Sequence, residues 1–515
     1  MKLIYGVKDK PKAGQLILFA LQQLLAILAA TITVPIVVNG NTGSDMSIAA
    51  ALFGAGAGTL VYQLFTKFRS PVFLGSSFAF IGSMSAAFAG GISMALGSFG
   101  LIIGAIFAGL VYVVIAIVVK FAGVKWIDKV MPAAVIGPTV ALIGLSLAGS
   151  AIKHAVGDID INEATSSYVM NTTTVLCLVC ALFTLAVTIV GSVYGKKMMK
   201  MIPVIIGILS GYALAAVFTG FSYIPGAESM RIIDFTIFRS MEWLPDFTFI
   251  EALTDTSYFT DGTNIGAYIG TIAVAYVPVA FVVFAEHIAD HKNISSIIET
   301  DLLTDPGLSR TLLGDGIGSM VGAVFGGCPN TTYGESIGCV AISGNASVIT
   351  IFVTAILAIV SSFIAPFVTF LSSIPNCVMG GVCVALYGFI AVSGLKMVQK
   401  VDLNDNGNLF TVSSILIAGV GGLALTFGKV TITNIACALI LGILTNVLVN
   451  AGKKKKAAKA ETDTGADIAE DAALEPADGS GASAEEKTEA GDSAAGEEKN
   501  DPPEQEGKEN TNGEV

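Results

Sequence analysis

The sequence predicts an all-α polytopic membrane protein whose fourteen transmembrane segments form two inverted repeats of seven, with segments 3 and 10 broken by short antiparallel strands. Three observations predict it. Of the 515 residues 53% are hydrophobic and only 13% charged, and apolar runs of about 20 residues, enough to cross a hydrocarbon core of about 30 Å as helices, recur down most of the chain. Lys and Arg gather at alternate ends of these runs. Two runs at matching places in the two halves are interrupted by glycine and proline.

Glycine, proline and charge divide the body into segments at about 15–38, 46–66, 71–90, 96–120, 130–150, 172–195 and 202–220. A polar loop over 221–264 follows, and then segments at about 265–288, 312–328, 333–343, 347–371, 376–396, 409–427 and 430–450. The first run is too long for a signal peptide and lacks a small-residue cleavage site, so it reads as a retained span. With the N-terminus inside, 21 Lys and Arg fall on the inner side and 4 on the outer. That asymmetry places both termini in the cytoplasm, and one missed span would scramble it. Seven segments per half make the second half start on the opposite side from the first, which is inverted topology.

The net charge of -12 is unevenly spread. Residues 457–515 hold 18 acidic and 4 basic residues, so the rest of the chain is close to neutral. This tail is rich in Ala, Glu, Gly, Asp and Ser without apolar periodicity and is expected to be disordered. The seven cysteines sit almost all within apolar runs, as small core residues do. Cys177 and Cys180 form a CxxC, but its flanks are apolar and no second pair accompanies it, so zinc or redox chemistry is not expected.

The third segment contains Pro71-Val-Phe-Leu-Gly-Ser-Ser-Phe-Ala-Phe80, and its counterpart contains Gly326-Gly-Cys-Pro-Asn-Thr-Thr-Tyr-Gly-Glu-Ser-Ile-Gly338. Backbone groups released at proline and glycine find no partner in lipid, so these stretches must lie within protein or line a cavity. Glu335 adds a carboxylate, which costs roughly 2.5 to 3.5 kcal/mol or more in such a segment and marks a functional site. The alternations Phe78/Phe80 and Thr331/Tyr333 suit short strands. Half-helices beginning near Phe78 and Glu335 would then aim their N–H groups at a ligand. Ordinary glycine kinks at close helix contacts are the bland alternative.

The eighth segment carries a second polar constellation, Glu286-His-Ile-Ala-Asp-His291. Glu286 and Asp290 share one helix face, and His287 and His291 share the next. Carboxylates beside an imidazole can take up and release a proton, and a carboxylate can accept N–H bonds from a flat heterocycle. At about 1.5 Å per residue, Glu286 lies some 30 Å from Gly266, which would put it near the inner end of its span. A polar cap at a helix end is therefore the alternative for His287, Asp290 and His291. His287 and His291 also have the i, i+4 spacing of a zinc pair, but Glu286 precedes the first histidine, unlike the HExxH order, so a membrane metalloenzyme is a distant alternative.

At these residues the chain resembles the nucleobase-cation symporter-2 family of nucleobase and ascorbate transporters, and within it the bacterial uracil permeases. The resemblance covers nearly all of residues 5–450. It rests on Ala30-Thr31 with Val34-Pro35, Leu74-Gly-Ser-Ser-Phe-Ala-Phe80, Ala285-Glu-His287, Asp305-Pro-Gly-Leu308, Pro329-Asn-Thr-Thr-Tyr-Gly-Glu335 and Val378-Met-Gly-Gly381.

The resemblance implies a multi-pass protein of the bacterial cytoplasmic membrane that imports uracil with a proton by alternating access, and no enzyme. It implies a cytoplasmic N-terminus over 1–14, a core domain over 15–128 and 265–371, and a gate domain over 129–220 and 372–451. An extracellular loop at 221–264 and an acidic cytoplasmic tail at 452–515 complete it. Glu286 and Glu335 would hydrogen-bond the pyrimidine, Phe78 and Gly334 would add backbone groups and packing, and Tyr333 and Ala30 would line the pocket. Some relatives place histidine where this chain has Asp290, and many place one where it has Gln23. Glu335, Glu286, Asp290 and His291 are accordingly the proton-coupling candidates. No cofactor beyond the coupling proton and no nucleic acid is implied. The expected partners are a nucleobase and lipid, with room for a homodimer. A xanthine or uric acid permease of the same family is the nearest alternative, ahead of the related anion-transporter fold.

Overall fold

The computed structural model describes residues 3–451 except 125, 158–160, 163–166, 197, 261–263 and 428–429. The acidic tail at 452–515 lies outside the described residues, as do Lys2, Lys125, Lys197 and Lys429 of the charge count. The chain is mainly helical. Among the described residues nine helices are long and apolar enough to cross a membrane, or ten if the pair 348–362 and 365–372, bent by 84°, counts as one.

The nine are Ala13–Thr42, Ile48–Phe65, Met94–Ala122, Ala133–Ala155, Thr172–Tyr194, Pro203–Phe221, Ile265–Ile298, Asn376–Val398 and Asn434–Ala451. Local sequence starts and stops them. Ser47, Ser93, Asn171 and Asn264 each accept a bond from a first-turn N–H with the side chain, which satisfies a donor the helix cannot. Gly43 ends the first helix at φ +69°, a conformation that costs glycine little. Helix Met94–Ala122 shows why they belong in lipid. Leu110, Val114, Ile117, Val118 and Phe121 are exposed along one stripe, while Ala105, Ala108, Tyr112, Ile115 and Val119 are buried on the other.

The other apolar stretches are shorter or more polar. Phe78–Ala87 and Asn406–Val420 are short apolar helices, Gly334–Ser343 has 10 residues, and Leu308–Gly326 carries Arg310 and Asp315. Strand Leu425–Phe427 pairs antiparallel with Val430–Ile432, where continuous helix is expected from the sequence. The described residues of the loop region expected at 221–264 fold into short turns and the helix Thr248–Thr254.

Packing falls into two groups. In one, helix Leu308–Gly326 lies against Ile48–Phe65 and Met94–Ala122, which in turn meets Ile265–Ile298, and Val348–Ser361 packs on Ile48–Phe65 and the first helix. In the other, Asn376–Val398 packs on Ala133–Ser146 and Thr172–Tyr194, which holds Pro203–Phe221. Small residues permit the closest approach. A Cβ at Gly58 would stand 2.6 Å from the Gly318 carbonyl oxygen, and one at Gly318 would stand 2.7 Å from that of Gly58, so two backbones meet where membrane helices gain contact without side chains between them.

The first group also holds the two interrupted stretches. Strand Leu74–Ser76 pairs antiparallel with Asn330–Thr332, in the register Leu74 to Thr332 and Ser76 to Asn330. Each strand leads into a short helix, starting at Phe78 and at Gly334. The alternation of Phe78 and Phe80 therefore marks a turn and not a strand. Ser77 N–H donates to the Pro329 carbonyl at 2.9 Å, after which residues 78–80 wind into a 3-10 turn.

Candidate functional site

The site is built where those strands end beside helix Ile265–Ile298. This helix has 34 residues, about 51 Å at 1.5 Å each, so it exceeds a hydrocarbon core and continues some three turns past Glu286. Ending the span at residue 288 is corrected accordingly, and Glu286 is an interior residue of the helix.

A cavity of about 280 Å³ lies between the two packing groups, close to the lower end of the 300–1,000 Å³ usual for small-ligand sites. The first group contributes Phe78, Glu286, Asp290, Asn293, Thr331, Thr332, Tyr333, Gly334 and Glu335. The second contributes Val140, Phe389, Ile390, Ser393 and Met397. Glu286, Asp290 and Glu335 are half-buried, whereas Asn293, Phe389 and Ser393 are exposed and mark the open side. A larger cavity, about 550 Å³, is lined by Asn39, Asp45, Ser240, Glu242 and Asp246 among others. It lies among helix ends and the loops between them and contains none of the residues singled out from the sequence.

Each polar group has a local reason for its place. Glu335 stands in the first turn of Gly334–Ser343, where the unpaired N–H groups favour negative charge. Thr332 donates to Asp290 Oδ2 at 2.7 Å, tying the second strand to the long helix. The Asn330 amide donates to the Gly54 carbonyl at 3.0 Å. Thr331 Oγ1, between them, is buried without a hydrogen-bond partner among the described residues. Tyr333 donates to the Ser76 carbonyl at 3.0 Å, and its ring occupies the space a Cβ on Gly75 would need.

The histidines face elsewhere. His287 Nδ1 lies 2.6 Å from Asp315 Oδ2 and Nε2 lies 3.0 Å from Thr311 Oγ1. His291 Nδ1 donates to the His287 carbonyl at 2.8 Å, while Nε2 lies 2.7 Å from the Tyr62 hydroxyl. The rings stack with centroids 4.0 Å apart. All four ring nitrogens are thus engaged by protein groups, which leaves none to bind zinc, and no cluster of three metal-ligating side chains occurs among the described residues. His291 and Ala30 are wholly buried and stand outside the cavity lining.

Two supporting residues were given no role from the sequence. Asp315 is 1% exposed and holds His287; a carboxylate inside the apolar ninth segment was its available signal. Gln23 donates to Ser336 Oγ at 2.5 Å and to the Ser336 carbonyl at 3.2 Å, fixing the first helix to the helix of Glu335. Nothing local predicts that contact, which spans more than 300 residues.

Comparison with known proteins agrees with this architecture. The profile of the Permease family (Xan_ur_permease) matches residues 14–427. The chain is 38% identical over 454 residues to the uracil permease of Bacillus caldolyticus, covering 87% of this chain and 95% of that protein. It is 36% identical over 464 residues to the uracil permease of Bacillus subtilis (strain 168), covering 89% and 98%. Among solved structures, the transmembrane domain of the cyanobacterial bicarbonate transporter BicA aligns with a TM-score of 0.57 at 15% identity, over 86% of this chain and all of that one, which establishes a shared fold alone. The chain therefore belongs to the Xan_ur_permease Permease family, as a multi-pass membrane transporter and not an enzyme.

Proposed function

We propose that this permease carries uracil across the bacterial cytoplasmic membrane together with a proton. The observation that carries the reading is that Glu286 and Glu335, from elements far apart in sequence, line one small cavity; relatives named uracil permease indicate its occupant. Uracil is a flat, neutral ring with N–H donors and carbonyl acceptors on its edge. The carboxylates accept from the N–H groups, and N–H groups at the starts of the helices at Phe78 and Gly334 donate to the carbonyls. Tyr333 and Phe78 pack against the ring. A ligand lacking either edge leaves buried polar groups unpaired, which is the source of selectivity.

In this reading the proton is shared by Glu286, Asp290 and Glu335, with His291 acting behind them through the long helix. Loading uracil and proton together removes uncompensated charge from the site and lets one packing group rock against the other. The two groups are the core domain, 15–128 with 265–371, and the gate domain, 129–220 with 372–451. In this reading the short and polar elements join the ten longer ones as fourteen segments in two inverted halves. The two strand-to-helix elements occupy matching places in them, and Lys and Arg put both termini inside.

Uptake of radiolabelled uracil into proteoliposomes under an imposed pH gradient tests the reading. Uptake should follow the gradient and vanish in Glu286→Ala and Glu335→Ala. Gradient-driven uptake of radiolabelled xanthine or uric acid but not of uracil would transfer the assignment to a purine permease, and normal uracil uptake by either variant would refute the site.

A further inference from the structure

A second cavity, about 220 Å³, lies on the other side of Phe78. Among the described residues Phe78 is the only one lining both cavities, and its ring meets Tyr387 edge-on with centroids 5.6 Å apart. The short helix Phe78–Ala87 connects them: its first residue borders the site, and Ser85 near its end lines the second cavity.

The two cavities face opposite ends of the molecule. Leu3 and Val7 pack against the apolar cluster that holds Ile294, Ile298 and Leu302, so the start of the chain and the end of the long helix share one end. The first cavity reaches that end at Asn293. Helix Ala13–Thr42 runs about 45 Å away from it, and Asn41, near its far end, is exposed at the mouth of the second cavity.

The lining chemistry is specific. Asn41, Ser85, Ser150, Thr433 and Asn434 offer amides and hydroxyls, and none of the lining residues is ionisable. Ser85 Oγ is buried without a hydrogen-bond partner among the described residues, an exception to the rule that buried polar atoms are paired. A charged ligand would lose hydration there with no opposite charge to replace it. A neutral ring with amide edges would find both donors and acceptors.

We propose that this second cavity is a separate binding station for the neutral heterocycle, occupied from the opposite end of the molecule before Phe78 yields to the central site. This rests on the nucleobase reading and adds a site to it. Substrate would wait in an uncharged chamber and meet the carboxylates only on crossing the aromatic partition.

The seven native cysteines are buried, so Ser150→Cys in the full chain supplies one reachable thiol. Right-side-out vesicles are treated with a membrane-impermeant maleimide, with and without millimolar uracil. The thiol is expected to label, and uracil to slow labelling several-fold. That slowing should persist when Glu286→Ala is added, because the second station does not use Glu286. Slowing that disappears with Glu286→Ala, or a thiol that cannot be labelled from that side, overturns the proposal. If Ser150→Cys fails to reach the membrane, Thr433→Cys carries the same test with the same outcomes. Vesicles of the unaltered protein that take up no uracil overturn the nucleobase reading itself, a result separate from uptake without protection.

Discussion

Two adjacent faces of helix Ile265–Ile298 both carry titratable side chains and do opposite things. Glu286, Asp290 and Asn293 fall at i, i+4 and i+7 and line the central cavity. His287 and His291, one residue further round, are sealed among Asp315, Thr311 and Tyr62. A titratable group close to a site is thus no evidence that it serves the ligand. What separates the two faces is whether neighbouring elements have already satisfied the side chain. A buried, fully partnered network fixes how the helix is turned, and the half-buried face is left with capacity to bind.

The comparison breaks most visibly on the sealed face. Asp315→Ala should lose about 3 kcal/mol of stability, because it strands His287 in the interior; thermal unfolding of the purified protein should show it. Conservative Asp315→Asn should recover part of that loss by keeping a hydrogen-bonding group beside Nδ1.

The open face should give the reverse pattern. Glu286→Ala is expected to cut uracil uptake at least about 100-fold, about 2.7 kcal/mol, while leaving the melting temperature near that of the unaltered protein. If Glu286→Ala unfolds the protein, or Asp315→Ala stops transport without destabilising it, the division between faces is wrong.

Smaller effects sharpen it. Gly75→Ala pushes a methyl into the Tyr333 ring, and such overpacking costs about 2 kcal/mol; reduced uptake with a moderate drop in melting temperature is the expected outcome. Thr332→Val removes the bond that steadies Asp290, worth about 1 kcal/mol. It should raise the KM for uptake several-fold with little change in melting temperature, and an unchanged KM would show that Asp290 needs no tether.

Much of this was legible in the sequence because each signal was local. Apolar length and glycine, proline and charge punctuation placed most of the long helices to within a few residues, as Met94–Ala122 and Thr172–Tyr194 show, while Ile265–Ile298 runs ten residues beyond its expected end. Pro329 and the glycines marked where regular helix stops, and Glu335 and Glu286 stood out as carboxylates in apolar surroundings. The misplaced strand at Phe78 and Phe80 came from reading alternation without the turn that Ser77 begins. The short helix at 406–420, followed by a hairpin, was hidden because the whole stretch is apolar enough to pass as two continuous spans. Gln23 and Asp315 act through partners distant in sequence, and no window along the chain contains both members of either pair.

The sequence by itself determined which stretches are long and apolar enough to cross a membrane, which two stretches cannot remain regular helix, and which carboxylates require a reason to be there. Those follow from the price of an unpaired polar group in hydrocarbon, a property of each segment alone. Only the tertiary structure decided that Glu286 and Asp290 look into a chamber while His287 and His291 do not, and that Phe78 stands between two cavities. A helix with titratable side chains on two adjacent faces carries no single stripe to set its rotation. Turning it by one residue, about 100°, exchanges one face for the other, so its orientation is settled by Asp315, Tyr62 and Thr332 on other elements.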